Sequence, residues 1–359
     1  MQINLHSGIS TLSYGVVGLN ILRSLSKLGH DLVYWPIGHI EAIPPDTGLI
    51  NQCIQNQVNV NKNSPCLKVF HEFDLCTRIG SGKYGTMSFF EIDRLDARRV
   101  AHLNCSDIIF CPSTWAKKVM EESGVKPEKV ICHPGVDTNL FRPKPLQNDE
   151  VTRFCSIGKW EVRKSFQELA TAFEKAFLPE DKVELYIAAD NPFFPEEENQ
   201  AWRNIFIKSK LGSKVKFINR SLDQGSIVDL INHCDCLVSP SKAEGFNLPA
   251  LEALACGRHV ITTNYSAMPD FCDDKNSMLI NIDKTQPCYD GHWFTPESIG
   301  DAYWAYYGQN QIDQLINYMR GIHKQKQYGE LKINEYGSKT GKEFSWDKTT
   351  KIISSNLGD

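Results

Sequence analysis

Ser239-Pro240-Ser241-Lys242-Ala243-Glu244-Gly245-Phe246-Asn247-Leu248-Pro249-Ala250-Leu251-Glu252-Ala253-Leu254-Ala255-Cys256-Gly257-Arg258-His259-Val260 is the stretch from which the fold of this chain is read. The run just before it, Cys236-Leu237-Val238, is short, apolar and β-rich, so it reads as a buried strand ended by Ser239-Pro240-Ser241. Pro249 suits a first helical turn, where its missing N–H costs nothing, and Gly257 supplies a stop; together they predict a helix over Pro249–Cys256. Strand, loop and helix in this order leave the backbone N–H groups of Phe246, Asn247 and Leu248 at a helix N-terminus, where they attract a phosphate or the hydroxyls of a sugar. Glu252 is expected within the first turn, favoured by the helix dipole and able to accept hydrogen bonds from two adjacent ribose hydroxyls. Glu244 lies before the turn, nearer any sugar.

Two glutamates at this spacing are common, and alone they prove little. A second constellation adds weight: Phe154-Cys155-Ser156-Ile157-Gly158-Lys159-Trp160-Glu161-Val162-Arg163-Lys164-Ser165 reads as strand, loop and helix start. Ser165 and Glu168 have the spacing of a capping box, and Phe166, Leu169, Ala170, Phe173 and Phe177 recur at helical intervals, so an amphipathic helix is expected to begin at Ser165. Lys159 and Lys164 then flank its N-terminus, with Arg163 a neighbouring candidate. Paired cations there suit a departing diphosphate, which carries about two to three negative charges.

These residues resemble the signature of the retaining glycosyltransferases of family 4, a Glu, seven residues and a second Glu, usually Glu-Gly-Phe-Gly-Leu-Pro followed by Glu-Ala. Asn247 stands where the family usually has Gly, and its side chain must point away from the donor or bond to it. Family members usually show Gly-Arg upstream and a Lys five residues after that Arg; here Lys159 takes the Arg place and Lys164 the Lys place. Lys159 keeps the charge but lacks the forked contact of Arg. The resemblance implies an α/β fold of two facing Rossmann-like domains, the GT-B type, with a cleft between them and a C-terminal helix crossing back to the first. It implies transfer of a sugar from a UDP- or GDP-linked donor to a hydroxyl of a glycan, lipid or protein-linked acceptor, with retention, no metal and no cofactor. In that scheme Lys159 and Lys164 stabilise the diphosphate, Glu252 holds the ribose and Glu244 the sugar hydroxyls.

Further roles come from the same resemblance. Phe90-Glu91-Ile92-Asp93-Arg94-Leu95 is similar to a family subgroup with Phe-Glu-x-x-Arg-Leu, which makes Glu91 the candidate for contacting the transferred sugar or acceptor hydroxyl, unless it simply pairs with Arg94 or Arg99. His71-Glu72 is a weaker alternative. Gly15 and Gly18 are placed at the opening of the first helix, where backbone approaches the diphosphate or acceptor, and Asn219-Arg220 fall in the base-recognition loop. A nucleotide-sugar epimerase of the same fold and an inactive binding protein remain as alternatives. Gly80-Ser81-Gly82-Lys83-Tyr84-Gly85 imitates a dinucleotide motif, but it precedes a strand and opens no helix, so it reads as a loop.

Length and charge agree with this reading. At 359 residues the chain suits two α/β lobes, and a formal charge of −4 offers no basic excess for nucleic acid. No apolar run approaches the roughly 20 residues of a membrane helix and no leader precedes the first strand, which points to the cytoplasm and leaves peripheral membrane contact open. The twelve cysteines read as reduced thiols, with Cys105, Cys111, Cys132, Cys155 and Cys256 in core-like contexts. Cys234-Asp235-Cys236 lacks zinc-knuckle spacing, and no metal site is expected. Strands and helices alternate along the chain, with strands near 2–5, 31–35, 67–71, 86–91, 108–111 and 129–133, then 153–157, 184–188, 214–218, 236–239 and 259–262. Gln309 to Tyr318 reads as a polar, biased tract. Residues 1–145 with 345–359 are expected as the acceptor-side domain and 150–344 as the nucleotide-sugar domain, joined by the polar linker 144–150.

Overall fold

A computed structural model describes residues 1–221 and 223–358. The chain divides into two compact units, Met1–Asp137 with Phe344–Asp359, and Thr138–Glu343. The first holds strands β1 (Gln2–Ser7), β2 (Asp31–Pro36), β3 (Cys66–Val69), β4 (Tyr84–Met87), β5 (Ile108–Cys111) and β6 (Glu128–Ile131) in one parallel sheet ordered β2-β1-β3-β4-β5-β6. Every residue of β3, β4 and β5 is buried, as expected where crossover helices cover both faces of a parallel sheet. Those helices are α1 (Ser13–Lys27), α2 (Asp46–Gln55), α3 (Ala97–Leu103) and α4 (Thr114–Glu122). Asp96 caps α3 by accepting from Arg99 N–H, and Ser113 caps α4 by accepting from Ala116 N–H.

Two expectations change here. Gly15 and Gly18 do not form an open loop, because α1 already starts at Ser13. A Cβ on Gly15 would lie 2.1 Å from Ser10 N and one on Gly18 2.2 Å from Gly8 O, so both glycines let the helix press against the backbone of the β1–α1 loop. The strand expected over 86–91 ends at Met87. Residues 88–91 leave the sheet because side chains bind their backbone: Ser88 Oγ donates to Phe70 O at 2.6 Å, while Tyr14 Oη donates to Phe89 O at 2.9 Å and accepts from Phe89 N–H at 2.8 Å.

The second unit runs β7 (Thr152–Gly158), α5 (Phe166–Ala176), β8 (Val183–Ala189), α6 (Glu196–Ile207), β9 (Val215–Phe217), α7 (Gln224–His233), β10 (Cys236–Ser239), α8 (Leu248–Ala255), β11 (His259–Thr263) and β12 (Met278–Ile280). These strands form a parallel sheet ordered β12-β11-β10-β7-β8-β9. An antiparallel hairpin of β13 (Thr285–Pro287) and β14 (Tyr303–Ala305) follows, enclosing the short α9 (Pro296–Ile299), and then α10 (Gln309–Gln327) and α11 (Glu335–Glu343). The polar tract at 309–318 is therefore the start of a long helix. Its Leu315, Ile316, Met319 and Ile322 bury in one cluster with Leu169, Phe173 and Phe177 from α5 and the residue after it. The division between units falls after Asp137, ahead of the polar 144–150 tract. That tract stays with the second unit because Arg258 Nη2 donates to Lys144 O at 2.8 Å and Lys144 N–H to Asn232 Oδ1 at 3.3 Å.

The last helix, α12 (Trp346–Gly358), returns to the first unit, where Ser345 bridges to Val136. It lies on α1 through Ser24 Oγ donating to Asp347 Oδ1 at 3.0 Å and Lys27 Nζ to Asp347 Oδ2 at 2.6 Å. No helix among the described residues is long and apolar enough to cross a membrane. Because Gly18 abuts backbone that cannot yield, Gly18→Val is expected to destabilise the first unit by about 1–3 kcal/mol or more, read as an earlier urea-unfolding transition.

Candidate active site

In the second sheet, β7 is followed by β8 on one side and β10 by β11 on the other, so the strand order reverses between the neighbours β7 and β10. Ligands of doubly wound sheets bind at the carboxyl ends of strands at such a switch point. The loop after β7 carries Lys159 to Ser165, and the loop after β10 carries Ser241 to Asn247. The backbone joins them directly, Lys242 N–H donating to Arg163 O at 2.7 Å.

Charged side chains complete the junction in an unbroken relay. Lys159 Nζ lies 2.7 Å from Glu161 Oε1, Glu161 Oε2 accepts from Arg163 Nη2 at 2.6 Å, Arg163 Nη1 reaches Glu244 Oε2 at 3.1 Å, and Glu244 Oε1 accepts from Lys164 Nζ at 2.6 Å. Arg163 also donates to Ala243 O at 2.7 Å. Glu161, Arg163 and Glu244 are all buried. Burial alone would push both carboxyls up, but Arg163 and Lys159 hold Glu161 below its ordinary range, and Lys164 and Arg163 hold Glu244 at about 2. Three cations share two carboxylates, so the relay keeps an excess positive charge. Lys159 is its more exposed end, with Nζ 5.6 Å from the ring centroids of both Phe193 and Trp293.

This geometry revises the part of Glu244. Placed by sequence toward sugar hydroxyls, it has both oxygens engaged by cations and its N–H bonded to Ser266 Oγ at 2.9 Å, so here it positions Lys164. Glu161 and the bridging role of Arg163 were not foreseen. A Glu two residues before an Arg in a strand-to-helix loop was the available signal. The capping box is also absent. Ser165 is left-handed at φ 57°, its side chain makes no cap bond, and Glu168 instead pairs with Lys242 at 2.8 Å.

α8 begins at Leu248, and Asn247 precedes it in the left-handed region at φ 82°. That backbone explains why glycine suits the position and why Asn, which tolerates the left-handed region, replaces it. The buried Asn247 amide donates from Nδ2 to Ser239 Oγ at 3.1 Å. The N–H groups of Asn247 and Leu248 find no acceptor among the described residues, and Phe246 sits beside them with its ring against Phe271. Glu252 falls in the second turn of α8, because the first turn holds no acidic residue. Its half-buried carboxyl finds no hydrogen-bond or ion-pair partner among the described residues, and desolvation pushes it up to about 7.

The remaining candidates lie elsewhere. Asn219 and Arg220 are exposed just after edge strand β9, two strands from β7 at the same carboxyl end. Glu91, Gly15 and Gly18 belong to the first unit, Glu91 in the loop fixed by Tyr14. Arg99, one partner considered for Glu91, is engaged by Glu72 at 2.8 Å and Asp96 at 2.6 Å, which makes Glu72 a buried structural carboxylate. Among the described residues no group of three or more His, Cys, Asp or Glu side chains is arranged to hold a metal ion.

Two measurements follow from these charges. Arg163→Met strands Glu161 and Glu244 in the interior and is expected to cost about 3–5 kcal/mol in urea unfolding. Glu252 protonates more readily folded than unfolded, so its ionisation removes stability as pH rises from its ordinary 4.5 toward about 7. Glu252→Gln is therefore expected to match the wild type near pH 4 and to be more stable above pH 7, by about 3 kcal/mol at most, in parallel thermal melts.

Residues 152–288 match the family described as Glycosyl transferases group 1. The alpha-monoglucosyldiacylglycerol synthase of Streptococcus pneumoniae is 25% identical over 183 residues, covering 47% of this chain and 40% of that protein. The MMP alpha-(1->4)-mannosyltransferase of Mycolicibacterium hassiacum is 27% identical over 186 residues, 51% of this chain and 41% of that protein. These matches thus span well under two thirds of either relative. Among solved structures, sucrose-phosphate synthase from Thermosynechococcus elongatus superposes with a TM-score of 0.72 at 13% identity, covering 100% of this chain and 98% of that one. Anabaena HepE in complex with UDP and glucose gives 0.68 at 12% identity, covering 100% and 99%. Residues 152–288 thus match the Glycosyl transferases group 1 family, and the chain as a whole has the two-sheet α/β fold of its GT-B neighbours.

Proposed function

We propose that this chain is a nucleotide-sugar-dependent, retaining glycosyltransferase that moves a hexose to an acceptor hydroxyl. The observation that supports it is the pairing, at one switch point, of a relay with excess positive charge and a partnerless carboxyl, Glu252. A nucleoside diphosphate supplies what each lacks. Its phosphates neutralise Lys164 and Lys159 and accept from the N–H groups of Asn247 and Leu248, while ribose hydroxyls donate to Glu252.

In this reading the sugar–phosphate bond breaks as negative charge builds on the diphosphate. Lys164, held by Glu244, and Lys159, held by Glu161, meet that charge, and because they are fixed beforehand little reorganisation is needed. A donor phosphate oxygen takes the acceptor proton while the acceptor attacks from the face the leaving group vacates, which retains the anomeric configuration and needs no metal. Phe246 lines the sugar end and Glu244 reaches sugar hydroxyls only by sharing its oxygens with the cations. Asn219 and Arg220 are assigned to the base, and Glu91, from the first unit, to the transferred sugar or the acceptor. The two relatives are by name a monoglucosyldiacylglycerol synthase and a mannosyltransferase, and the Anabaena neighbour was solved with UDP and glucose, which favours a hexose donor; the nucleotide is assigned as UDP or GDP. The acceptor is a glycan, lipid or protein-linked hydroxyl. We place the reaction in the cytoplasm, where twelve unbridged cysteines stay reduced.

The test is a panel of nucleotide-sugars with chelator present, read by mass spectrometry, with product anomers assigned by NMR. Lys164→Ala is expected to lower turnover on the order of 100-fold or more while the chain stays folded at the assay temperature, with some loss of stability from the weakened Glu244 pairing. Undiminished turnover in that variant rejects the assignment, and an inverted product rejects retention.

A further inference from the structure

Cys105 reads from sequence as a core thiol, yet Cys76 and Cys105 are exposed while the other ten cysteines are buried. They also meet. Cys105 Sγ donates to Cys76 Sγ across 3.2 Å, and His102 Nδ1 stands 3.2 Å from Cys76 Sγ on the other side. The contact is held by backbone on both sides rather than by chance rotamers. Tyr84 Oη donates to Leu75 O at 2.6 Å and to Thr77 O at 3.2 Å, bracketing Cys76, while Cys105 follows the end of α3 with its N–H on His102 O at 3.1 Å. Leu75 N–H donates to His102 Nδ1 at 3.1 Å, which marks Nδ1 as the unprotonated nitrogen and sets its lone pair between that amide and the Cys76 sulfur. The hydrogen bond given to Cys76 pushes the Cys105 thiol up, so Cys105 is the donor of the pair and Cys76 Sγ the acceptor.

We propose that Cys76 and Cys105 form a dithiol modification site that reacts with small disulfides to close an intramolecular bridge. Cys76, exposed and losing its proton to solvent, attacks one sulfur of the small disulfide; the new S–S bond forms, the old one breaks, and one small thiolate leaves and takes up a proton. Cys105, deprotonated in turn, attacks Cys76 Sγ, and the second small thiol departs. The protein loses two hydrogens and two electrons, and the small disulfide gains them as two thiols. The bridge joins the loop after β3 to the end of α3, the two segments already tied by Glu72 and Arg99 at 2.8 Å. It would fasten together two segments of the first unit, and it is independent of the transferase reading. Bridges of this kind in reducing compartments are transient and report redox state.

The test incubates the native full-length chain with glutathione disulfide and follows intact mass and non-reducing peptide maps. The expected product is lighter by two hydrogens, carries one Cys76–Cys105 cross-link and returns to the starting mass with dithiothreitol. Cys76→Ser and Cys105→Ser should each stop at one stable glutathione adduct. Stable adducts on both cysteines of the wild type, disulfide-linked dimers, or no reaction would each overturn the proposal.

Discussion

The second unit turns on the Arg163 guanidinium, which spans Glu161 at 2.6 Å and Glu244 at 3.1 Å in the interior. Isolated, either carboxylate would be costly to bury, and Arg163 would be costly too. Joined, they fasten the loop after β7 to the loop after β10 at the place where strand order reverses. The relay also explains how two lysines can be aimed together. Each outer cation is held by a carboxylate whose other oxygen is already committed to Arg163, so neither lysine needs to search for its position. Under the proposed function, a site meeting charge on a departing phosphate gains most from such prior order.

Glu244 and Glu252 divide their work differently from what their spacing suggests. Glu244 is satisfied within the protein, whereas Glu252 is the carboxyl left wanting a donor. Sequence alone places one toward the sugar and the other toward the ribose on equal terms. In the proposed reading Glu252 is therefore the carboxyl offered to a ligand and Glu244 the one that positions Lys164.

Much of the architecture was legible because parallel strands buried on both faces are written as short apolar runs. Ile108–Cys111 and Cys236–Ser239 appear in the structure with the limits their sequence predicts, and Gly257, left-handed at φ 66°, ends α8 as expected. Less was legible where side chains bind backbone at long range. Nothing local in Met87 to Glu91 announces that Tyr14, more than seventy positions away, will pull Phe89 out of the sheet. α10 was hidden because its apolar stripe is narrow and its other faces are rich in Gln, Asn and Lys. Asp46–Gln55 and Met278–Ile280 were missed for want of a strong period in short segments. In the site, the lysines and glutamates were visible as charges at helix starts, but their pairing was not, because it depends on which two strands are neighbours. The core-like context of Cys105 misled for the same reason: apolar neighbours in sequence do not say which face of a helix end meets water.

The central claim is that Glu252 waits, desolvated and partnerless, for the hydroxyls of a nucleotide ribose. Calorimetric titration of UDP and GDP near pH 7, repeated in buffers of different ionisation enthalpy, reads that directly as linked protons. Hydroxyl donors restore the ordinary acidity of Glu252, so binding should release up to about half a proton more from the wild type than from Glu252→Gln. Equal proton release from the two proteins, or no binding of either nucleotide, would contradict the account.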